Sequence, residues 1–209
     1  MTMHVLLFNG SPHKNGCTFT ALSEVAKTLE ENGVKAEILQ IGAKPVRGCI
    51  ACGGCAGKGR CAFGDDIVNT LIEKMEQADG FIVGSPVYYA SANGAVECIL
   101  DRAFYAGGKA FVHKPAAAVA SARRAGTTAT LDELTKYFTI SQMPVVSSTY
   151  WPMVHGNKPE DVAKDEEGLQ VMRNLGRNMA WLLKCIEAGK QAGVQVPEAE
   201  RQYRTNFIR

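Results

Sequence analysis

The stretch MHVLLFNGSPHKNGCT, residues 3–18, decides the fold class. Its first seven residues form an apolar run without regular polar alternation, which is typical of a strand buried on both faces. The run ends at Gly10-Ser11-Pro12, where a loop begins. Apolar residues then recur at three- and four-residue spacing up to Glu31, which predicts an amphipathic helix. The stretch therefore indicates a strand that leads through a loop into a helix.

The same alternation repeats along the rest of the chain. Strands are predicted at residues 34–41, 80–84, 115–120 and 144–150, and helices after Asp65-Asp66 and over residues 92–106, 127–140 and 166–187. Five such units predict an α/β fold with a parallel sheet covered by helices on both faces. We expect residues 1–188 to form one domain, because no linker interrupts them. Residues 189–209 contain Pro197 and many charged groups, and are predicted to form a C-terminal arm.

Composition excludes several classes of function. The 209 residues are 46% hydrophobic, which is enough for a well-filled core. Lys and Arg number 23 against 21 Asp and Glu, so the net charge of +2 provides no strong field to attract nucleic acid. No apolar run approaches the roughly 20 residues of a membrane helix, and the first ten residues are too short for a signal peptide. We therefore expect a cytoplasmic protein that binds neither nucleic acid nor membrane.

Three loops follow the first, third and fourth predicted strands and should meet at one edge of the sheet, where open α/β sheets bind ligands. The first loop offers a helix N-terminus and the hydroxyls of Ser11 and Thr18, which suit a phosphate. It is neither a Walker A loop nor a Gly-x-Gly-x-x-Gly fingerprint. An ordinary β-α turn is the alternative.

The second and third loops carry aromatic and basic side chains. Tyr88 and Tyr89 in the second loop could flank a flat ring, or could simply pack against the protein. Arg123 and Arg124 in the third loop could pair with phosphates or polar ring atoms, or could be solvated.

Four of the seven cysteines lie within thirteen residues, in the pattern Cys49-x2-Cys52-x2-Cys55-x5-Cys61. Closely spaced thiolates can wrap a [4Fe-4S] cluster. Structural zinc and a metal-free thiol loop are the alternatives. Of the others, Cys98 and Cys185 fall on apolar helix faces and are interpreted as core residues, whereas Cys17 begins a helix, which should lower the pKa of its thiol.

Taken in order, four motifs resemble those of the flavodoxin-like NAD(P)H-dependent FMN reductases, a family that includes the multimeric flavodoxin/quinone reductase group and the iron-sulfur flavoproteins. The motifs are Gly10–Thr18, Gly48–Cys61 with Asp65-Asp66, Gly84–Tyr88 and Thr205–Arg209. The resemblance spans nearly the whole chain. It implies a flavodoxin-like three-layer fold with a five-stranded parallel sheet in the order 2-1-3-4-5.

The resemblance also implies an FMN site. The first loop would hold the phosphate, the second would contact the isoalloxazine, and the third would line its pyrimidine side. Relatives usually have Arg where this chain has His13 and Asn where it has Cys17, which leaves Lys14 as the phosphate cation. The predicted FMN-binding residues are Ser11, His13, Lys14, Gly16, Cys17, Thr18, Pro86, Val87, Tyr88, Tyr89, Ser121, Arg123, Arg124 and Gly126.

The function that we expect from this resemblance is electron transfer from NAD(P)H through FMN to a quinone, a flavin or another acceptor, with no essential acid-base side chain. One alternative is an iron-sulfur flavoprotein carrier that uses the four cysteines and takes electrons from ferredoxin. A flavin-binding redox sensor is another. The expected partners are a small-molecule acceptor or a redox protein, and the resemblance implies a homodimer or homotetramer.

Overall fold

Five parallel strands form the centre of the protein in the computed structural model, which describes residues 3–207. The strands are β1 (His4–Asn9), β2 (Lys35–Gln40), β3 (Gly80–Tyr88), β5 (Ala116–Ala122) and β6 (Met153–His155), and the two-residue strand β4 (Ser91–Ala92) pairs antiparallel with β3. The sheet order is β2-β1-β3-β5-β6. Without the added β4, this is the predicted order 2-1-3-4-5, so the flavodoxin-like α/β fold is confirmed.

Six α-helices within residues 3–207 pack against the sheet. They are α1 (Cys17–Glu31), α2 (Val68–Gln77), α3 (Gly94–Gly107), α4 (Thr127–Ile140), the short α5 (Pro159–Val162) and α6 (Glu166–Gln191). Helices α1 and α6 pack with Val5 and Leu7 on one face of β1, whereas α2, α3 and α4 pack with Leu6 and Phe8 on the other. Burial on both faces explains why the first strand has no polar alternation.

The prediction of a strand over residues 144–150 is wrong. Only Val145 forms a bridge there, with Ala116. The chain then leaves the sheet, and the bonds from Ser148 Oγ to Val171 O (2.7 Å) and from Asn178 Nδ2 to Ser147 O (2.8 Å) hold it against α6. It returns only at β6, whose pairing with β5 begins where Ala120 N donates to Pro152 O at 2.9 Å.

The long helix α6 extends past residue 188, where the arm was predicted to begin, and ends at Gln191. Residues 195–207 have exposed side chains and form no helix or strand. The last two residues of the predicted arm, Ile208 and Arg209, lie outside the described residues. Among residues 3–207, no helix, α6 included, is long and apolar enough to cross a membrane.

Candidate functional site

A cleft of about 670 Å³ opens at the carboxyl ends of β1, β3, β5 and β6. Its volume is in the range of small-molecule and cofactor sites. Its wall is built from four loops and contains Ser11, His13, Lys14, Asn15, Gly16, Cys17, Thr18, Pro86, Val87, Tyr88, Ser121, Ala122, Arg123, Gly156, Asn157, Lys158 and Pro159.

The first loop is joined to the second by two hydrogen bonds that involve the main chain of Gly10. Gly10 N donates to Gly84 O at 2.8 Å, and Asn93 Nδ2 donates to Gly10 O at 2.9 Å. Gly10 has no room for a side chain, since a Cβ there would lie 2.2 Å from Val96 Cγ2 and 2.7 Å from Gly84 O. The close approach of these backbones therefore requires glycine at position 10.

Helix α1 begins in the cleft in a form that suits an anion. In the part of the chain that the structure describes, no side chain caps its start at Gly16, and its first turn contains no acidic residue. Ser11 and Thr18 are almost fully buried, and the hydroxyls of Thr18 and Ser121 lie 2.8 Å apart. A phosphate fits this position, because it can accept hydrogen bonds from the uncapped N–H groups and these hydroxyls at the positive end of the helix dipole.

The second loop is ordered by its own contacts. Ser85 Oγ accepts a hydrogen bond from Asn93 N at 3.0 Å, and the Glu133 carboxylate accepts bonds from Ser91 Oγ and, at 3.2 Å, from Ala92 N. Tyr88 lines the cleft and is 45% exposed, which leaves ring surface free for a planar ligand.

Three of the predicted FMN-binding residues do not line this cleft. Tyr89 is fully exposed, with a left-handed φ of 57°. Arg124 is also exposed and is absent from the wall, unlike its neighbour Arg123. Gly126 has φ 90°, and a Cβ there would lie 2.7 Å from Val87 Cγ1. Glycine at this position therefore lets the third loop pack closely against the second, outside the cleft wall. The other eleven predicted residues meet in the cleft.

A fourth loop, Gly156–Pro159, completes the wall and was not predicted. It follows β6 (Met153–His155), whereas the last strand was predicted at residues 144–150. Gly156 N donates to Ala122 O at 3.0 Å, which attaches this loop to the third. The signal in the sequence was a short Met153-Val154-His155 run followed by Gly, Asn, Lys and Pro, which is itself a strand followed by a turn.

Two expectations about single cysteines are wrong. Burial raises the pKa of the Cys17 thiol, and this outweighs the lowering effect of a hydrogen bond from the backbone. Its Sγ donates to Gly156 O at 3.6 Å, so Cys17 joins the first and fourth loops. Cys185 is exposed and is not a core residue, whereas Cys98 is half-buried.

The irregular chain between β2 and α2 brings Cys49, Cys52, Cys55 and Cys61 to the wall of one small cavity. Cys49 and Cys52 are exposed, and the other two are half-buried. Within residues 3–207, no three His, Cys, Asp or Glu side chains converge as they do around a single metal ion. The wall nevertheless offers four thiols and no carboxylate, which suits the iron of a larger cluster.

Two side chains from neighbouring helices hold the Cys61 end of this segment. Asn69 Oδ1 accepts a bond from Cys61 N at 2.8 Å, and Asn69 Nδ2 donates to Cys61 O at 3.1 Å. Arg102 pairs with Asp66 and donates to Cys61 Sγ at 3.3 Å. Burial alone would lower the pKa of Arg102, but its hydrogen bonds to Asp66 and Cys61 raise it.

The parallel sheet with order 2-1-3-4-5 and the phosphate cradle beside exposed aromatic surface at its carboxyl edge define a flavodoxin-like, FMN-binding protein. The sequence matches the family described as NADPH-dependent FMN reductase over residues 3–158. The chain belongs to this family, and it is a flavin oxidoreductase.

Relatives with curated names are iron-sulfur flavoproteins. One from Methanocaldococcus jannaschii is 32% identical over 197 residues, which cover 88% of this chain and the whole of that protein. Another from Methanosarcina thermophila is 25% identical over 193 residues, which cover 90% of this chain and 99% of that protein.

Solved structures show the same fold. RosB with bound 8-demethyl-8-formylriboflavin-5'-phosphate superposes with a TM-score of 0.69 at 15% identity, over 99% of this chain and 92% of that one. A flavodoxin from the domain Archaea gives 0.60 at 15% identity, over 87% and 99%. At these identities the likeness concerns the fold.

Proposed function

We propose that the protein is an iron-sulfur flavoprotein that exchanges electrons between FMN in the cleft and a [4Fe-4S] cluster held by Cys49, Cys52, Cys55 and Cys61. The observation that carries the proposal is that all four cysteines line one cavity whose wall contains no carboxylate. The names of the relatives support it, since iron-sulfur flavoproteins match nearly the full length of this chain.

The four loops of the cleft would hold FMN by its phosphate and its ring. The start of α1, Ser11 and Thr18 receive the phosphate, while Lys14 and Lys158 place positive charge at the wall. Pro86 and Tyr88 offer apolar surface for the ring system. When bound, FMN supplies both two-electron and one-electron chemistry, and a cluster supplies one-electron chemistry.

Helix α3 connects the two regions. Asn93 at its start accepts from Ala95 N and donates to Gly10 O beside the cleft, and Arg102 further along donates to Cys61 Sγ. These two residues are separated by about 14 Å of helix rise. One rigid element therefore fixes the spacing of the proposed flavin and cluster sites.

The experiment compares FMN, iron and acid-labile sulfide per chain after anaerobic purification and reconstitution. We expect about one FMN with about four iron and four sulfide, and flavin absorption with a broad cluster shoulder. Cys55→Ala should lose iron and sulfide but keep FMN. Cys98→Ala is the matched control, because Cys98 lies on α3 close to Gly48 but outside the cavity, and it should keep both groups. Full flavin with no iron in the parental protein would overturn the cluster assignment.

A second candidate is an NAD(P)H-dependent reductase that needs no cluster. It is favoured by the family description and by the basic side chains His13, Lys14, Arg123 and Lys158 in the cleft wall, which suit an anionic reductant. Steady-state NADPH oxidation with a quinone acceptor separates the two candidates. Equal turnover by the parental protein and Cys55→Ala supports the reductase, whereas no NADPH oxidation, together with full iron, supports the carrier.

We also propose a homodimer or homotetramer. Tyr88 and Tyr89 at the end of β3, and Tyr150 and Trp151 just before β6, are exposed aromatic side chains that a second copy would shield. Light scattering of the FMN-loaded protein tests this proposal. A monomer mass at micromolar concentration would contradict it. The acceptor is proposed to be a small molecule or a redox protein.

A further inference from the structure

Arg102 is the largest fully buried side chain among the described residues, although it is charged. It lies on α3 between apolar residues, Ile99 and Ala103, that belong to the core. Buried charges are costly unless they are paired and hydrogen-bonded. The hydrogen-bond partners of Arg102 therefore indicate the structural role of this side chain.

All of these partners lie within residues 47–66, the cysteine segment, which contains Cys49, Cys52, Cys55 and Cys61. Nε donates to Cys61 Sγ at 3.3 Å, Nη1 to Arg47 O at 3.2 Å, and Nη2 to Phe63 O at 3.3 Å. The Asp66 carboxylate accepts from both Nη1 and Nη2. A guanidinium has five N–H donors, and these bonds use them all. One planar group thus gathers residues 47–66 from both ends.

We propose that Arg102 is a positioning residue that holds Cys61 in place as a ligand and raises the reduction potential of the iron-sulfur group bound there. The positioning follows from the five bonds, which fix the chain on both sides of the four cysteines. The effect on the potential follows from charge, because a cation that donates to a ligand sulfur stabilises the more negative, reduced form of the group. The role of Cys61 as a ligand and the effect on the potential rest on the proposed function, whereas the positioning of the chain does not.

Arg47 provides a matched control on the same segment. Its guanidinium lies 4.6 Å from the centre of the Phe63 ring, and it pairs with Asp65 at 3.9 Å. Its side chain is 51% exposed and is paired with Asp65 and Phe63, neither of which is a cysteine. Arg47→Met removes a cation and an ion pair from the same segment without removing a contact to Cys61.

The test variants are Arg102→Lys and the double substitution Arg102→Met with Asp66→Asn, which avoids leaving the Asp66 carboxylate buried without its partner. The first measurement is hydrogen exchange of cluster-free, FMN-loaded protein over residues 60–69. We expect exchange at least about tenfold faster in the double variant, because opening of the segment becomes easier, and no change in Arg47→Met. Unchanged exchange in the double variant would overturn the positioning role.

The second measurement is a redox titration of reconstituted protein followed by electron paramagnetic resonance, with the flavin as internal reference. The double variant should have a one-electron reduction constant about tenfold lower, which is about 59 mV, and Arg102→Lys should recover part of this shift. Arg47→Met should match the parental protein. Equal potentials in all variants, or an equal shift in Arg47→Met, would overturn the effect on the potential. A parental protein that takes up no iron would overturn the proposed cluster, and the exchange measurement would still decide the positioning role.

Discussion

The flavin cleft and the cysteine segment are both irregular chain beside the same sheet, but they are held in different ways. The cleft loops leave neighbouring strands and are joined to one another by several modest contacts, such as Gly10 N to Gly84 O and the Thr18 and Ser121 hydroxyls. The cysteine segment runs from β2 to α2 and is held by the side chains of two residues, Asn69 and Arg102. The cleft loops are therefore held by several weak contacts, whereas the cysteine segment is held by a few buried side chains.

This difference has a thermodynamic consequence. Removing one hydrogen bond from a network of neutral bonds lowers the free energy of unfolding by roughly 1 kcal/mol, because the other bonds remain. A buried ion pair behaves differently, since removal of one partner leaves an uncompensated charge. The cysteine segment should therefore be the more sensitive of the two regions to a single substitution, although it is the more exposed.

The largest expected effect is that of Asp66→Ala. The Asp66 and Arg102 side chains are 8% and 1% exposed, so the substitution leaves a buried guanidinium without its counter-ion. We expect the free energy of unfolding to fall by about 3–5 kcal/mol, measured by chemical denaturation of the apoprotein. FMN affinity of the folded protein should change little, because Asp66 is not part of the cleft wall.

Asp65→Ala is the control for this substitution. Asp65 pairs with Arg47 at 3.9 Å, and both side chains are more than half exposed. Exposed pairs of this kind contribute about 0–1 kcal/mol. Equal losses of stability in Asp65→Ala and Asp66→Ala would break the contrast between the two regions.

In the cleft, the largest expected effect is that of Gly10→Ala. The new Cβ would overlap Val96 Cγ2 and Gly84 O, so the first loop must move away from β3. We expect a loss of about 1–3 kcal/mol of stability and FMN binding at least about tenfold weaker, measured by fluorescence titration. Gly94→Ala should be neutral or slightly stabilising, because nothing lies within 4 Å of a Cβ at that helical position. Unchanged FMN affinity in Gly10→Ala would show that the loop adapts.

The contrast also explains what the sequence could predict. The unit of β1, loop and α1 is local: the apolar run, the glycines and the helical spacing all lie within residues 3–31, and the structure confirms it. Helix α4 begins and ends at its predicted residues, Thr127 and Ile140, for the same reason. Eleven of the fourteen predicted cleft residues lie on loops whose positions follow from this alternation.

Features that depend on distant partners could not be predicted in this way. Residues 144–150 have good strand composition, but Pro144 lacks an N–H and the chain beyond Val146 is held by α6. Because the last strand was predicted at residues 144–150, the loop that follows β6 was not recognised as part of the site. The role of Arg102 depends on residues 36 to 55 positions away. Its only local signal was a charged residue on the apolar face of a predicted helix, beside Ile99 and Ala103.

A smaller effect in the cleft is expected from Thr18→Val, which removes a buried hydroxyl while preserving the shape of the side chain. This hydroxyl lies 2.8 Å from Ser121 Oγ and faces the proposed phosphate cradle. Hydrogen bonds to charged groups contribute about 1.5–3 kcal/mol, so FMN affinity should fall by at least about tenfold. Thr20→Val is the control, because the Thr20 hydroxyl bonds Gly16 O at 3.2 Å and Thr20 is not part of the wall. Equal losses of affinity in the two variants would place the phosphate elsewhere.

The smallest expected effect is that of Lys158→Met in the fourth loop. Lys158 is exposed at the cleft wall, so its attraction to a phosphate is screened by water and salt. We expect FMN to bind about threefold more weakly at low ionic strength, and the difference from the parental protein to vanish in about 1 M salt, where the Debye length is about 3 Å. Lys164→Met is the control, because Lys164 is exposed on the same part of the chain but outside the wall. A loss that persists at high salt would mean that Lys158 acts through a direct, desolvated contact, and the fourth loop would then resemble the cysteine segment more than the cleft.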